Sequence, residues 1–228
     1  GTAVRITTIF QGRLQGAAPF LTGVVDSSRF LHYPLHADTM PTMPQQPFSA
    51  LLKDVPVTEQ RGPSDPLIRS IAFASRNCVE GSLFVALPGF HVDGHDYIDE
   101  AVRRGAGAVL CNRLPEALSP KVAYAVVPNT QHALSRASSA FYSEPSRRLP
   151  VVGVTGTDGK STTVYLIDQL LEAVGEECGF LSTVARKVDI GVEKNPYRQS
   201  TPEAPQIHEA LFEIVENGKR FAVLEATS

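Results

Sequence analysis

"VVGVTGTDGKSTTVYLIDQLLEAVG", residues 151–175, carries the strongest local signal in the chain. Val151 to Val154 have the apolar composition of a short buried strand. Glycines stand at positions 153, 156 and 159, and a lysine and a serine follow. Val164, Ile167, Leu170, Leu171 and Val174 then recur at helical spacing until Gly175 supplies a stop. A strand, a glycine turn and a helix in that order are the unit from which parallel sheets are built.

The turn also has chemistry. The strict phosphate-loop spacing, G-x-x-x-x-G-K-[ST], would need glycine where Val154 stands. The loop here is Gly153-x-x-Gly156-x-x-Gly159-Lys160-Ser161. The change of spacing leaves the physics intact. Backbone N–H groups without a Cβ in the way can curl around an anion, and the helix N-terminus adds its positive dipole end. Lys160 then meets the outer phosphates as a point charge, and the Ser161 hydroxyl suits Mg²⁺. The pattern predicts a nucleoside triphosphate site. A unit charge pair at about 4 Å is worth about 4 kcal/mol at an effective dielectric of about 20, so losing Lys160 should cost orders of magnitude in turnover.

Alternation of strands and helices extends on both sides of this unit. Upstream, "SIAF" (70–73), "SLFVAL" (82–87), "AGAVLC" (106–111) and "AYAVVP" (123–128) read as strands. A helix with Tyr97, Ile98, Ala101 and Val102 on one face ends at Gly105. A second helix starts at Asn129 as N-cap and carries Ala133, Leu134, Ala137, Ala140 and Phe141. Downstream, "GFLST" (179–183) and "FAVLEAT" (221–227) read as strands. Between them runs a helix with Thr201 as cap, Pro202 at its first position, Glu203 in its first turn, and Ile207, Leu211, Ile214 and Val215 on its buried face. The reading is an α/β fold in three parts. Residues 1–47 form an extension or linker rich in Pro and polar residues, open to disorder; residues 48–149 form a first domain; residues 150–228 begin a second.

Composition bounds the function. With 228 residues and 43% hydrophobic content the chain can bury ordinary globular cores. A net charge of -3 and a pI near 6.1 give no footprint for nucleic acid or an anionic membrane. No apolar run approaches the roughly 20 residues that span a bilayer. Cys78, Cys111 and Cys178 lie far apart and form no metal-ligand spacing, which suits buried thiols in a reducing, cytoplasmic compartment. The N-terminus makes a poor signal peptide because Gln11, Gly12 and Arg13 break its apolar run.

Three ordered motifs resemble one family. "GVTGTDGKSTT" (153–163) resembles the ATP-binding loop of the Mur ligases, whose common form is GTNGKTT; Asp158 replaces Asn and Ser161 replaces Thr. "ASRNCVEGSLFVALPGFHVDGHDYIDEAVRRGAGAVL" (74–110) is similar to the family's uridine-nucleotide domain. "STPEAPQIHEAL" (200–211) and "FAVLEATS" (221–228) are similar to its TTP loop and EATSH segment. The resemblance spans residues 48–228.

It implies a small N-terminal UDP-binding α/β domain and the first part of a parallel-sheet ATP-binding domain. It also implies ATP-dependent ligation of a diamino acid (diaminopimelate, lysine or ornithine) onto UDP-MurNAc-L-Ala-D-Glu by a monomer, with ATP and Mg²⁺ as cofactors. Carried over residue by residue, Gly156, Thr157, Asp158, Gly159, Lys160, Ser161 and Thr162 wrap the phosphates. Ser161 and Glu225 hold the metal, Lys160 and Glu225 are the catalytic pair, and Ser75, Arg76, Gly89, Phe90, Ser200 and Thr201 meet the uridine-linked substrate. Ala74 departs from the family's DSR, removing one carboxylate from the expected nucleotide contact. Asp93-Gly94-His95 matches DGH and reads equally as a ligand contact or as a capped turn.

Other readings stand beside this one: a Mur-type ligase adding D-Ala-D-Ala, a folate polyglutamate synthase sharing the ATP loop, or a nucleotide-binding module without catalysis. The chain stops before the family's histidine after EATS and contains neither its carbamylated lysine nor its C-terminal domain. It is expected to bind nucleotides and to lack turnover by itself.

Overall fold

The structure, a computed structural model, describes residues 4–9, 42–63, 65–89, 92–197 and 202–226. The chain divides into two compact units, one of residues 43–144 with 203–209, the other of residues 1–42, 145–202 and 210–228. Both are α/β.

The first unit is built on a five-stranded sheet in the order β3-β8-β7-β6-β5. Its strands are β3 (Glu59–Arg61), β5 (Ser70–Ala72), β6 (Ser82–Val85), β7 (Ala106–Cys111) and β8 (Ala123–Val126). β5, β6, β7 and β8 run parallel, and β3 closes the edge antiparallel to β8. A short ladder of β2 (Gln46–Pro47) with β4 (Leu67–Ile68) stands apart from it. The helices are α1 (Phe48–Leu51), α2 (Ile98–Arg103) and α3 (Thr130–Phe141). All four residues of β6 are buried, as expected of a central parallel strand covered on both faces. Phe84 of β6, Val109 of β7, Tyr124 of β8 and Ile98 and Ala101 of α2 share one core cluster. α3 begins as its sequence predicts: Asn129 Oδ1 accepts from His132 N at 2.9 Å, and Ala133, Leu134, Ala137 and Phe141 are buried.

The second unit has a six-stranded sheet in the order β1-β9-β13-β10-β11-β12. Its strands are β1 (Val4–Ile9), β9 (Val151–Gly156), β10 (Cys178–Leu181), β11 (Ala185–Lys187), β12 (Glu193–Lys194) and β13 (Phe221–Glu225). β9, β13 and β10 are parallel. α4 (Lys160–Ala173) returns the chain from β9, and α5 (Ala204–Glu216) precedes β13. Val154, Val164, Cys178, Phe180 and Val223 make the core between α4 and the sheet.

Three features depart from the sequence reading. Residues 4–9, expected within an extension, form β1 and pair antiparallel with β9 along its whole length, from Val4↔Gly156 to Ile9↔Val151. A strand in which five of six residues are β-branched (Val4, Ile6, Thr7, Thr8 and Ile9) needs only a free sheet edge, and an edge has no signature in local sequence. The hairpin β11–β12 is likewise absent from the reading, because its strands are two or three residues long and mostly polar. The buried face of α4 also differs. Val164 is buried and Ile167 and Leu171 are partly so, but Leu170 and Val174 are 67% and 74% exposed. Asp168, one turn beyond Val164, takes the inward place and is completely buried.

Asp168 can be there because Lys187 of β11 meets it. Lys187 Nζ donates to Asp168 Oδ1 at 2.7 Å and also to Glu172 Oε1. Burial opposes charge on Lys187, yet these two carboxylates outweigh it and hold its ammonium above the ordinary range. Cys178 lies in the same core, and burial pushes its thiol up to about 12.

Candidate nucleotide and metal site

The carboxyl ends of β9, β13 and β10 lie side by side, the place where open parallel sheets build ligand sites. β9 runs into the turn 157–159 and then α4. Gly159 caps the helix at φ +76, a left-handed backbone that favours glycine. No side chain caps the helix, so its first N–H groups, which have no intrahelical acceptor, remain available at the loop. Lys160 folds back over that loop: its Nζ donates to Gly156 O at 2.8 Å and to Thr157 O at 3.0 Å. Thr157, Asp158, Gly159 and Thr162 are exposed, and Thr163 Oγ1 donates to Gly159 O at 2.9 Å. The ammonium is held over the turn by neutral carbonyls. Among the described residues no ion pair joins a carboxylate to Lys160, so an incoming anion meets its full charge.

β13 ends at Glu225, which is 8% exposed. Ser161 Oγ donates to Glu225 Oε2 at 2.7 Å, joining the first turn of α4 to the end of β13. Thr183, two residues beyond β10, donates from its backbone N to Glu225 Oε2 at 2.9 Å and from Oγ1 to Oε1 at 2.8 Å. The donor set is a carboxylate and a hydroxyl, both hard oxygens. No cluster of three or more His, Cys, Asp or Glu occurs among the described residues. The pair therefore fits a hard divalent cation that draws its remaining ligands from phosphate and water. It does not fit zinc, which wants nitrogen or sulfur. A cleft of about 320 Å³ opens beside it, lined by Ser161, Thr162, Tyr165, Leu166, Phe180 and Ser182.

The first unit carries a larger cleft of about 480 Å³ at the carboxyl ends of β5 and β6. Phe73, Ala74, Ser75, Arg76, Leu87 and Tyr97 line it. Glu100 lines it too, and Ser75 Oγ donates to Glu100 Oε2 at 2.8 Å, so the two form one hydrogen-bonded part of the cleft wall. Arg104 Nε donates to the other Glu100 oxygen, and these two bonds, that from Ser75 first, hold the Glu100 carboxyl below its usual range. Arg76 is exposed. Gly89, also exposed, donates its N–H to Val92 O at 3.1 Å, where a Cβ would come within 2.6 Å of that oxygen. Phe90, Ser200 and Thr201 lie outside the described residues.

The DGH segment takes the capped-turn form. Asp93 Oδ1 accepts from His95 N at 2.9 Å, and Asp93 Oδ2 accepts from Arg113 at 2.7 Å. The hydrogen bond from the His95 backbone, then Arg113 and the His95 ring, hold the Asp93 carboxyl far below the carboxylate range. His95 Nε2 accepts from Asn112 N at 3.1 Å, so its other ring nitrogen, 2.6 Å from Asp93 Oδ1, carries the proton. Both ring nitrogens are occupied in tying this turn to the end of β7. Gly94 is required here because a Cβ would lie 2.7 Å from both N and O of Leu87.

Lys160, Ser161 and Glu225, separated by up to 65 positions, thus meet at one sheet end, whereas Ser75, Arg76 and Gly89 belong to the other unit. Thr183 escapes the sequence reading. Its signal lies in strand order: β10 neighbours β13, so the residues after "CGFL" fall beside Glu225.

Comparison with known proteins agrees with both halves. The pattern of the Mur ligase family catalytic domain matches residues 67–142, and that of the Mur ligase middle domain matches residues 154–228. The chain is 43% identical over 171 residues to a UDP-N-acetylmuramyl-tripeptide synthetase of Borreliella burgdorferi, covering 74% of this chain and 34% of that protein. It is 45% identical over 166 residues to the protein of that name from Roseiflexus sp., covering 73% and 33%. It is 38% identical to a UDP-N-acetylmuramoyl-L-alanyl-D-glutamate–2,6-diaminopimelate ligase of Geobacillus thermodenitrificans, covering 72% and 32%. The chain thus spans about a third of the length of these relatives. The crystal structure of MurF from Acinetobacter baumannii shares the fold, with a TM-score of 0.56 at 21% identity over 81% of this chain and 37% of that one. With both matched regions in the same order as the two units, the chain belongs to the Mur ligase family.

Proposed function

We propose that this chain is the substrate- and ATP-binding portion of a MurE-type ligase, which adds a diamino acid to UDP-MurNAc-L-Ala-D-Glu. The observation that carries the reading is the meeting of Ser161 and Glu225 at the mouth of the glycine loop, 2.7 Å apart. The names borne by the relatives support this acceptor. Residues 48–149 hold the uridine nucleotide in the cleft beside Arg76, and residues 150–228 hold ATP.

The chemistry balances as two transfers. A carboxylate oxygen of the D-glutamyl residue takes the γ-phosphoryl group of ATP, giving an acyl phosphate and ADP. The amine of the diamino acid then attacks the acyl carbon, releasing inorganic phosphate and forming the amide. Magnesium, when bound, neutralises charge on the transferring phosphoryl group. Lys160 leaves its carbonyl partners for the outer phosphates, and the N–H groups of residues 156–162 surround the chain of phosphates. Ser161 and Glu225 hold the cation, and the protein's contribution is placement and electrostatics. Three buried free thiols accord with a reducing compartment, and the cytoplasm is the proposed location. No helix among the described residues is long and apolar enough to cross a membrane.

Two measurements test this. Calorimetry should show the 228-residue chain binding Mg-ATP and UDP-MurNAc-L-Ala-D-Glu. The complete gene product, given both with diaminopimelate, lysine or ornithine, should yield a product heavier by one amino acid residue. Binding with no product from any diamino acid would return the chain to a nucleotide-binding module or to a ligase with another acceptor.

A further inference from the structure

We infer that Thr183 is the positioning residue that sets the Glu225 carboxylate for its cation. The inference deepens the ATP-site reading and rests on it. Glu225 stands at the end of β13 with two side-chain torsions and a freely turning carboxylate. Ser161 touches only Oε2. Thr183 touches both oxygens, Oε2 from its backbone N at 2.9 Å and Oε1 from Oγ1 at 2.8 Å. A carboxylate gripped at both oxygens keeps one rotamer and one plane, as supporting hydrogen bonds do for metal ligands in general.

Thr183 is itself fixed by bonds that do not involve its side chain. The turn 182–185 closes through Ser182 N to Ala185 O at 2.9 Å and Ala185 N to Ser182 Oγ at 3.1 Å. Asn195, which is buried, donates from Nδ2 to Ser182 O at 2.7 Å, and its N donates to Val184 O at 3.1 Å. The backbone on both sides of Thr183 is therefore anchored to β12's end of the hairpin. Replacing its hydroxyl leaves that anchorage in place. It also leaves the backbone N–H on Oε2 and removes the bond to Oε1.

The test titrates MgCl₂ into Thr183→Val, Thr183→Ser and the unsubstituted chain, reading ATP affinity by calorimetry, with a parallel titration in EDTA. Thr183→Val should raise the Mg²⁺ midpoint roughly 10- to 100-fold, the usual effect of losing a supporting hydrogen bond to a metal ligand. Affinity for ATP in EDTA should not change, and Thr183→Ser should titrate like the parent. A Thr183→Val midpoint equal to the parent's would overturn the inference. So would a loss of ATP affinity in EDTA accompanied by a lowered melting temperature, which marks a purely structural residue. If the unsubstituted chain binds ATP with no response to Mg²⁺, or not at all, the ATP-site reading fails first and the role of Thr183 with it.

Discussion

Ser161 Oγ and Glu225 Oε2 are 2.7 Å apart although 64 positions separate them in the chain. The contact exists because β13 inserts beside β9, with Glu225 in register with Val154. The same alignment sets the end of β13 level with the start of the glycine loop. Glu225→Gln keeps the shape and removes the charge. It is expected to abolish most of the Mg²⁺ dependence of ATP binding, while affinity in EDTA holds. A magnesium titration by calorimetry reads both.

Lys160 is a charged side chain expected to matter for ATP even without the metal. Its ammonium now bonds to Gly156 O and Thr157 O. Moved to a phosphate, it gains a charge pair of about 4 kcal/mol at an effective dielectric of about 20, roughly a thousand-fold in affinity. Lys160→Ala should therefore weaken ATP binding in EDTA and in Mg²⁺ alike. A loss confined to the Mg²⁺ series would contradict this assignment.

The Asp168–Lys187 pair predicts a stability effect with a built-in control. Both side chains are buried, at 0% and 4% exposure. Lys187→Met strands a carboxylate in the core and should cost about 3–5 kcal/mol. The double variant Asp168→Leu with Lys187→Met removes both charges and should recover most of that loss. Urea denaturation of the two variants measures the difference.

His208, on α5, gives a pH signature. Burial pushes its imidazole down to about 4 from 6.5, and its Nδ1 has no partner among the described residues. The folded chain therefore keeps it neutral while the unfolded chain protonates it. Its contribution to stability is whole above pH 6.5 and falls as the pH drops toward about 4, by up to about 3 kcal/mol. His208→Gln should flatten that part of the stability profile. Thermal melts between pH 4 and 7 would show an unchanged slope if the histidine is not responsible.

The β1–β9 pairing predicts the outcome of trimming the N-terminus. Deleting residues 1–10 bares the edge of β9 from Val151 to Gly156. An unpaired edge of that length invites association. The shortened chain should melt lower and sediment as higher oligomers, whereas an unchanged, monodisperse profile would argue that β1 contributes nothing to the sheet.

Much of the site was legible before any tertiary structure, because its signals are local. A glycine loop between a strand and a helix suits an anion through the dihedrals and dipole it imposes, and Lys160 and Ser161 fall beside it in sequence. The helix caps and β-strand periods of the first unit are local too, as Asn129 and β6 illustrate. The DGH turn was only half legible. Asp93 as a cap is a short-range fact, but the bonds from Arg113 and Asn112 that occupy Asp93 and His95 come from the end of a neighbouring strand.

Sequence alone thus determined the α/β class, the glycine loop between strand and helix, and the motifs that mark the family, since each depends on residues a few positions apart. Tertiary structure decided what depends on strand order and on the rotation of a helix. It set β10 against β13 and so brought Thr183 to Glu225. It turned Asp168 inward in place of Leu170, because Lys187 arrives from β11 to meet its charge. It gave β9 a partner from the far end of the chain. Hydrogen bonds and ion pairs of this kind join residues whose sequence separation carries no pattern, so only the folded backbone brings them within reach.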